Sequence, residues 1–132
     1  MATGISAAPR ERGAAAVEFA LIAPLLIALV LGTAEFGWIF FNQANFAGAA
    51  REGAREMAIS NNVADAKKLA TSLAMSKYVT ESQVQILPTS CESGKNVTVT
   101  IAVTYSSLTG WFDPLFGPNF KLSGTGVMRC GG

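Results

Sequence analysis

The longest stretch of this chain without a basic residue is strongly apolar, and it limits what the chain can fold into. Between Gly13 and Ala50 the only ionisable side chains are those of Glu18 and Glu35. As a helix, residues Gly13 to Ala34 measure about 33 Å, roughly one hydrocarbon thickness of a bilayer. The alternative is a buried core helix of a soluble protein, but the rest of the chain is too short to surround it. The sequence predicts a membrane span over about residues 14–41.

Large aromatic side chains end this apolar run: Phe36, Trp38, Phe40 and Phe41. Aromatic residues are enriched where a span meets the membrane surface. A cleaved secretory signal has a shorter apolar region that ends in a small-x-small site. We therefore expect the span to stay in the mature chain, with membrane lipid as a partner.

Composition excludes several classes of function. The chain carries 10 Lys and Arg against 9 Asp and Glu and contains no His. No basic stripe is present, so nucleic acid is not a predicted partner. Without His, the most common general base and metal ligand are missing, and the other polar residues form no nucleophile, phosphate-loop or metal-ligand pattern. We predict that the chain is not an enzyme and holds no cofactor or metal.

The orientation of the span does not follow from charge alone. Arg10 and Arg12 precede it, whereas Arg51 and Arg55 follow within about 20 residues, so the positive-inside rule gives a tie. The short N-terminal arm and a cysteine pair in the C-terminal part break the tie. We expect a cytoplasmic N-terminus and an extracytoplasmic head.

Residues 60–132 have the pattern of a small α+β head. Asn62 is a favourable N-cap, and a one-sided apolar stripe predicts a helix over about Val63 to Tyr78. Strict alternation predicts a strand over Asn96 to Tyr105, and shorter signals predict strands over Gln83 to Pro88 and Phe120 to Arg129. Gly124 and Gly126 in the last strand indicate a bulge or an edge position. The predicted fold class is α+β, with a long N-terminal helix and an antiparallel sheet of about three strands.

The only two cysteines, Cys91 and Cys130, flank the two longer predicted strands. If those strands pair antiparallel, both cysteines lie at one end of the sheet. Such a pair oxidises readily outside the cytoplasm, which predicts a disulfide. Two unrelated thiols, or a bridge between chains, are the alternatives.

The start of the span is unusual because Glu18 places a carboxylate inside an apolar helix. Burying its charge costs several kcal/mol unless the charge is paired, although the side chain can also extend to the nearby interface. The sequence R-E-R-G-A-A-A-V-E-F resembles the prepilin processing site of the type IV pilin superfamily. The resemblance implies that a prepilin peptidase cuts between Gly13 and Ala14. Glu18 then becomes the fifth mature residue and pairs with the new N-terminus of a neighbouring subunit.

Further motifs make the resemblance more specific: P-L-L, E-F-G and, over Ala49 to Arg55, A-A-R-E-G-A-R. Together with the junction they resemble the TadE-like family, pseudopilins or minor pilins of the tight-adherence (Flp-type) pilus system. The main pilins of that system are much shorter and carry Glu-Tyr at the junction, so the resemblance implies an accessory subunit. It implies a leader at 1–13, a long helix at 14–59 and a head at 60–132, with other pilins and the assembly platform as partners.

Charged and small residues along the helix fit a packing role. Arg51 and Arg55 share one face and, with the neighbouring Glu stripe, favour partners of opposite charge in assembly; a solvated face is the alternative. Small residues four apart, such as Ala50 and Ala54, allow close backbone approach.

One segment of the head and one question of function stay open. The loop from Leu108 to Gly117 contains five large apolar side chains and either covers the sheet as core or forms an exposed patch for a partner. The alternative function is an unprocessed, membrane-anchored binding module with an extracytoplasmic head. The mature N-terminus distinguishes the two functions.

Overall fold

The computed structural model describes residues 9–75, 79–117 and 119–131, with side chains from Gly13 onward. Two compact units are present, Met1–Ala34 and Glu35–Gly132. Helix α1, Pro9–Ser60, contributes to both. The part of the expected leader before Pro9 lies outside the described residues.

Helix α1 is long and apolar enough to cross a membrane over part of its length. From Gly13 to Val30 almost every side chain is exposed on the isolated chain, and these side chains include Phe19, Leu21 and Leu25. A helix that is apolar on all faces, and that no other described residue covers, is favourable in an apolar environment. The helix therefore has the properties that membrane insertion demands.

A tight turn joins α1 to helix α2, Val63–Leu73. Asn61 adopts a positive φ of 50°, which Asn tolerates better than most residues. The Asn62 side chain accepts hydrogen bonds from the backbone N–H groups of Ala64 (3.0 Å) and Asp65 (3.4 Å). The N-cap expected from the sequence is thus present.

The predicted end of this helix was too late. α2 ends at Leu73, and Tyr78 lies outside the described residues. The backbone N–H of Met75 donates to Oδ1 of Asn45 on α1 (2.8 Å) rather than continuing the helical ladder. A tertiary hydrogen bond therefore satisfies the backbone N–H of Met75 after the helix ends.

The sheet has three antiparallel strands in the order β1-β2-β3: β1 Val84–Leu87, β2 Asn96–Thr104 and β3 Lys121–Arg129. A 3-10 turn, Glu81–Gln83, precedes β1, and the short helix α3, Asp113–Phe116, lies between β2 and β3. The α+β fold class and the antiparallel three-stranded sheet are confirmed.

Successive side chains of β2 point to opposite faces of the sheet. Val97, Val99, Ile101 and Val103 are buried, and the intervening residues are more exposed. The buried face packs on small and apolar residues of α1 and α2. The core of the head comprises Phe46, Ala49, Ala50, Ala54, Met57, Ala66, Ala70, Ala74, Val79, Val84, Ile86, Val97, Val99, Ile101, Val103, Leu122 and Cys130.

The glycines of β3 do not form a bulge, contrary to that part of the prediction. β3 is an edge strand, and it pairs with β2 in unbroken register from Asn96–Arg129 to Thr104–Lys121. A Cβ on Gly124 would collide with the backbone of Phe46 and Ala47. The glycines are needed because the backbone of α1 lies directly against the strand.

Candidate functional site

The expected processing junction lies near the start of α1. Gly13, Ala14 and Glu18 are all exposed on the isolated chain, and nothing lies within 4 Å of the position a Gly13 Cβ would take. Among the described residues, the side chains of this segment are therefore accessible to another protein. Both the cleavage and the pairing of Glu18 involve other proteins and stay predictions.

The A-A-R-E-G-A-R motif has two faces with different surroundings. Ala50 and Ala54 are fully buried against the sheet, and a Cβ on Gly126 of β3 would collide with the backbone of Ala50 and Arg51. A Cβ on Gly53 would lie 2.9 Å from Cβ of Ala70 on α2. The small residues of the motif therefore allow α1 to contact its own head closely.

The charged residues of the motif point away from that contact. Arg51 and Arg55 are both exposed. Nη1 of Arg55 lies 3.9 Å from Oε2 of Glu52, the internal pair that the spacing favours. An ion pair this exposed contributes little to stability. The charged face is thus available to another molecule.

A disulfide joins Cys91 and Cys130 at one end of the sheet, where the pairing of Asn96 with Arg129 brings the strand ends together. The Cα atoms of the two cysteines lie 5.5 Å apart, within the range that disulfides span. The backbone N–H of Cys91 also donates to Oδ1 of Asn61 (2.6 Å) in the turn after α1. The disulfide therefore lies beside the turn between the two helices.

Glu35 is a polar site that the sequence prediction did not include among its functional residues. Its side chain is only 1% exposed. Oε1 accepts a hydrogen bond from the backbone N–H of Leu108 (3.0 Å), and Oε2 accepts from the backbone N–H (3.4 Å) and the hydroxyl (3.2 Å) of Thr109. The carboxylate thus holds a loop that is more than 70 residues away in sequence.

A signal for Glu35 was present in the sequence. It is one of only two ionisable residues between Gly13 and Ala50, and it begins the E-F-G motif. A carboxylate next to an apolar stretch needs hydrogen-bond donors. Its donors are backbone N–H groups of a distant loop, and no residue pattern identifies such a partner.

The loop that Glu35 holds divides its apolar side chains between two environments. Phe112 and Phe116 are half-buried, and they join Tyr105 and Phe120 in an aromatic cluster with ring centroids 5.1 to 6.4 Å apart. The other three large apolar side chains, Leu108, Trp111 and Leu115, are exposed. One side of the loop is therefore half-buried in the aromatic cluster, the other is exposed, and a partner for the exposed side stays a prediction.

A pocket of about 440 Å³ lies between α1 and the end of β2. Its lining includes Trp38, Phe46, Tyr105 and Leu108. The Tyr105 hydroxyl is buried and has no hydrogen-bond partner among the described residues. Within the same described part of the chain, no three acidic, cysteine or histidine residues cluster as metal ligands.

Comparison with curated proteins and with solved structures finds no match. Comparison with protein families does find one, to the family described as TadE-like protein. The matched segment lies within α1 and contains the Gly13 junction, Glu18, Glu35 and the buried and charged faces around Arg51. Residues 13–55 thus carry the TadE-like pattern, which confirms the family resemblance seen in the sequence.

Proposed function

We propose that this protein is a pseudopilin or minor pilin that takes part in assembling a tight-adherence (Flp-type) pilus. The TadE-like match associates the chain with that pilus system and with its other components. In the proposed sequence of events, α1 inserts into the cytoplasmic membrane and a prepilin peptidase removes residues 1–13. The processed subunit then joins other pilins at the assembly platform.

The observation that carries the proposal is the position of Glu18. It lies five residues after Gly13, inside the family match, and its side chain is exposed in the part of the chain that the structure describes. An ionised carboxylate at this depth is costly unless a partner pairs it. Cleavage after Gly13 would create an amino group on Ala14, and a neighbouring subunit's new amino group is a partner of the right charge.

The charged face of α1 supplies a second contact for assembly. Arg51 and Arg55 are exposed and follow the apolar segment on the side of the head. In a filament, an acidic face on a neighbouring subunit would pair with them. The orientation in this proposal has the N-terminus in the cytoplasm and the disulfide-containing head outside, where thiols oxidise.

We expect Gly13→Leu to leave an unprocessed precursor, because the peptidase requires a small residue before the cut. Mass spectrometry of the membrane-extracted protein measures the mature N-terminus in cells with and without the prepilin peptidase. Gly37→Leu is the matched control, since it makes the same change on the same helix at a position with nothing within 4 Å. A wild-type chain that retains residues 1–12 would contradict processing and favour the unprocessed binding module.

We expect Glu18→Gln and Glu18→Ala to stay in the membrane and to abolish incorporation into pili. Removing a charge from an apolar span favours insertion, so a loss of assembly cannot come from failed insertion. Membrane fractionation measures insertion, and crosslinking to other pilins measures assembly. Glu81→Gln, at an exposed position of the head outside both proposed assembly contacts, serves as the control. Normal piliation in both Glu18 variants would refute the proposed pairing.

A further inference from the structure

The exposed apolar patch of the loop is tied to a defined point on α1. Glu35 directly follows Gly13 to Ala34, the stretch that as a helix measures about one hydrocarbon thickness of a bilayer. Its carboxylate binds the backbone of Leu108 and Thr109 at 3.0 to 3.4 Å. These hydrogen bonds therefore hold the loop beside Glu35, directly after that stretch.

The loop presents large apolar side chains at that level. Leu108 is 56% exposed, Trp111 72% and Leu115 75%. Trp111 and Leu115 are four residues apart around α3, whereas Phe112 and Phe116 fill the aromatic cluster behind them. Asp113 is the only charged residue from Ser106 to Gly117. Such a surface is costly in water and favourable at a lipid interface.

The loop is held in shape by its own hydrogen bonds as well as by Glu35. The backbone N–H of Gly110, which has a positive φ of 74°, donates to the hydroxyl of Ser107 (2.7 Å). The Thr109 hydroxyl accepts from the backbone N–H of Trp111 (3.4 Å). The exposed side chains therefore project from an organised turn.

Aromatic residues of α1 lie at the same level. Phe36 and Phe40 are 65% and 75% exposed, and they follow Glu35 by one and five residues. Trp and other amphipathic aromatic residues concentrate at the headgroup level of membranes, where the indole N–H keeps polar partners. The helix and the loop thus both expose large apolar side chains close to Glu35.

We propose that the segment Leu108 to Leu115 inserts into the lipid headgroup region, with Glu35 holding it at that depth, so that the head has a second membrane contact besides α1. This proposal rests on the membrane insertion of α1 in the proposed function. A lipid surface is the occupant because Glu35 holds the patch directly after the stretch that measures about one hydrocarbon thickness, among the aromatic residues that end the span. The Glu35 carboxylate, satisfied by loop N–H groups, can lie at the membrane surface without losing its hydrogen bonds.

The two tryptophans of the chain allow a direct test. Trp38→Phe leaves Trp111 as the only tryptophan, and Trp111→Phe leaves Trp38 as a reference on α1. The full-length chain is reconstituted in phosphatidylcholine vesicles in which the acyl chains are brominated near the glycerol end or near the methyl end. Interfacial side chains lie roughly 5–10 Å below the surface, so bromines near the glycerol should quench Trp111 more strongly. Trp111 should also be protected from acrylamide added to the buffer.

Each result supports or overturns the proposal. If Trp38 is quenched by brominated lipid while Trp111 is reached by acrylamide and not by bromine, α1 is inserted and the loop proposal is wrong. If neither tryptophan is quenched, the insertion of α1 itself fails. If Trp111 is protected from acrylamide but not quenched by bromine, a second copy of the chain covers the loop, and lipid is not the occupant.

The role of Glu35 has its own variant. In the Trp38→Phe background, Glu35→Ala removes the acceptor for the three hydrogen bonds from Leu108 and Thr109. We expect the bromine quenching of Trp111 to fall while the protein stays in the membrane fraction. Glu52→Ala in the same background should leave the quenching unchanged. Full quenching in the Glu35→Ala variant would overturn the anchoring role of Glu35.

Discussion

Gly126→Val is expected to destabilise the head strongly. The new side chain would have to occupy the space of the Ala50 and Arg51 backbone, and a helix backbone cannot yield as a side chain does. Overpacking a core costs about 1–3 kcal/mol when side chains can adjust, so we expect about 3 kcal/mol or more here. Small domains have roughly 5–15 kcal/mol of stability in total. A loss of this size removes from about a fifth to more than half of that stability, so the unfolding midpoint should fall clearly.

The measurement uses the full-length protein in detergent micelles. Thermal unfolding and limited proteolysis of the head report its stability, and membrane fractionation reports whether α1 still inserts. Ser123→Val is the matched control, because it adds the same side chain to an exposed position of the same strand. An unfolding midpoint for Gly126→Val equal to that of the control would show that α1 does not press on β3 as the structure describes.

Removing the disulfide is expected to have the second large effect. Cys91 and Cys130 are separated by 39 residues, and closing a loop of that length is worth on the order of 3–4 kcal/mol in the chain-entropy model. The double variant Cys91→Ser, Cys130→Ser should therefore unfold at clearly lower denaturant concentration. A small head depends on such a covalent link because its core is limited.

A reductant provides the internal control. Reduced wild-type protein should unfold at the midpoint of the double variant, and the variant should be insensitive to the reductant. A thiol titration of the denatured, unreduced protein exported by cells gives an independent check. Two reactive thiols, or a dimer that disappears on reduction, would contradict an intramolecular bridge in the exported protein.

The elements of the head that could be predicted are those with local signals. β2 was found because its apolar residues alternate strictly from Val97 to Val103, and a period of two fixes both the element and its buried face. The start of α2 was found because Asn62 caps it through its own side chain. Local signals of this kind identify an element without information about the residues that pack against it.

The features that could not be predicted depend on a partner distant in sequence. Ala50 and Ala54 have the same spacing whether they face another subunit or their own sheet, and only the structure shows that they are buried in the head. Gly126 was interpreted as a bulge or edge signal, whereas its lack of a side chain accommodates the α1 backbone. Glu35 contacts a loop whose position no local pattern encodes.

The contact between α1 and β3 determines when the head can be completed. Residues 46–51 of the helix meet Gly124 and Gly126, which lie close to the C-terminal end of the described chain. Contacts between segments so far apart form late and slow the folding reaction. If the head is exported as proposed, β3 crosses the membrane after β1 and β2, and the core stays open until it arrives. Closure of the core would then wait for the transfer of β3, and a subunit stalled before that point would expose the unpaired edge of β2.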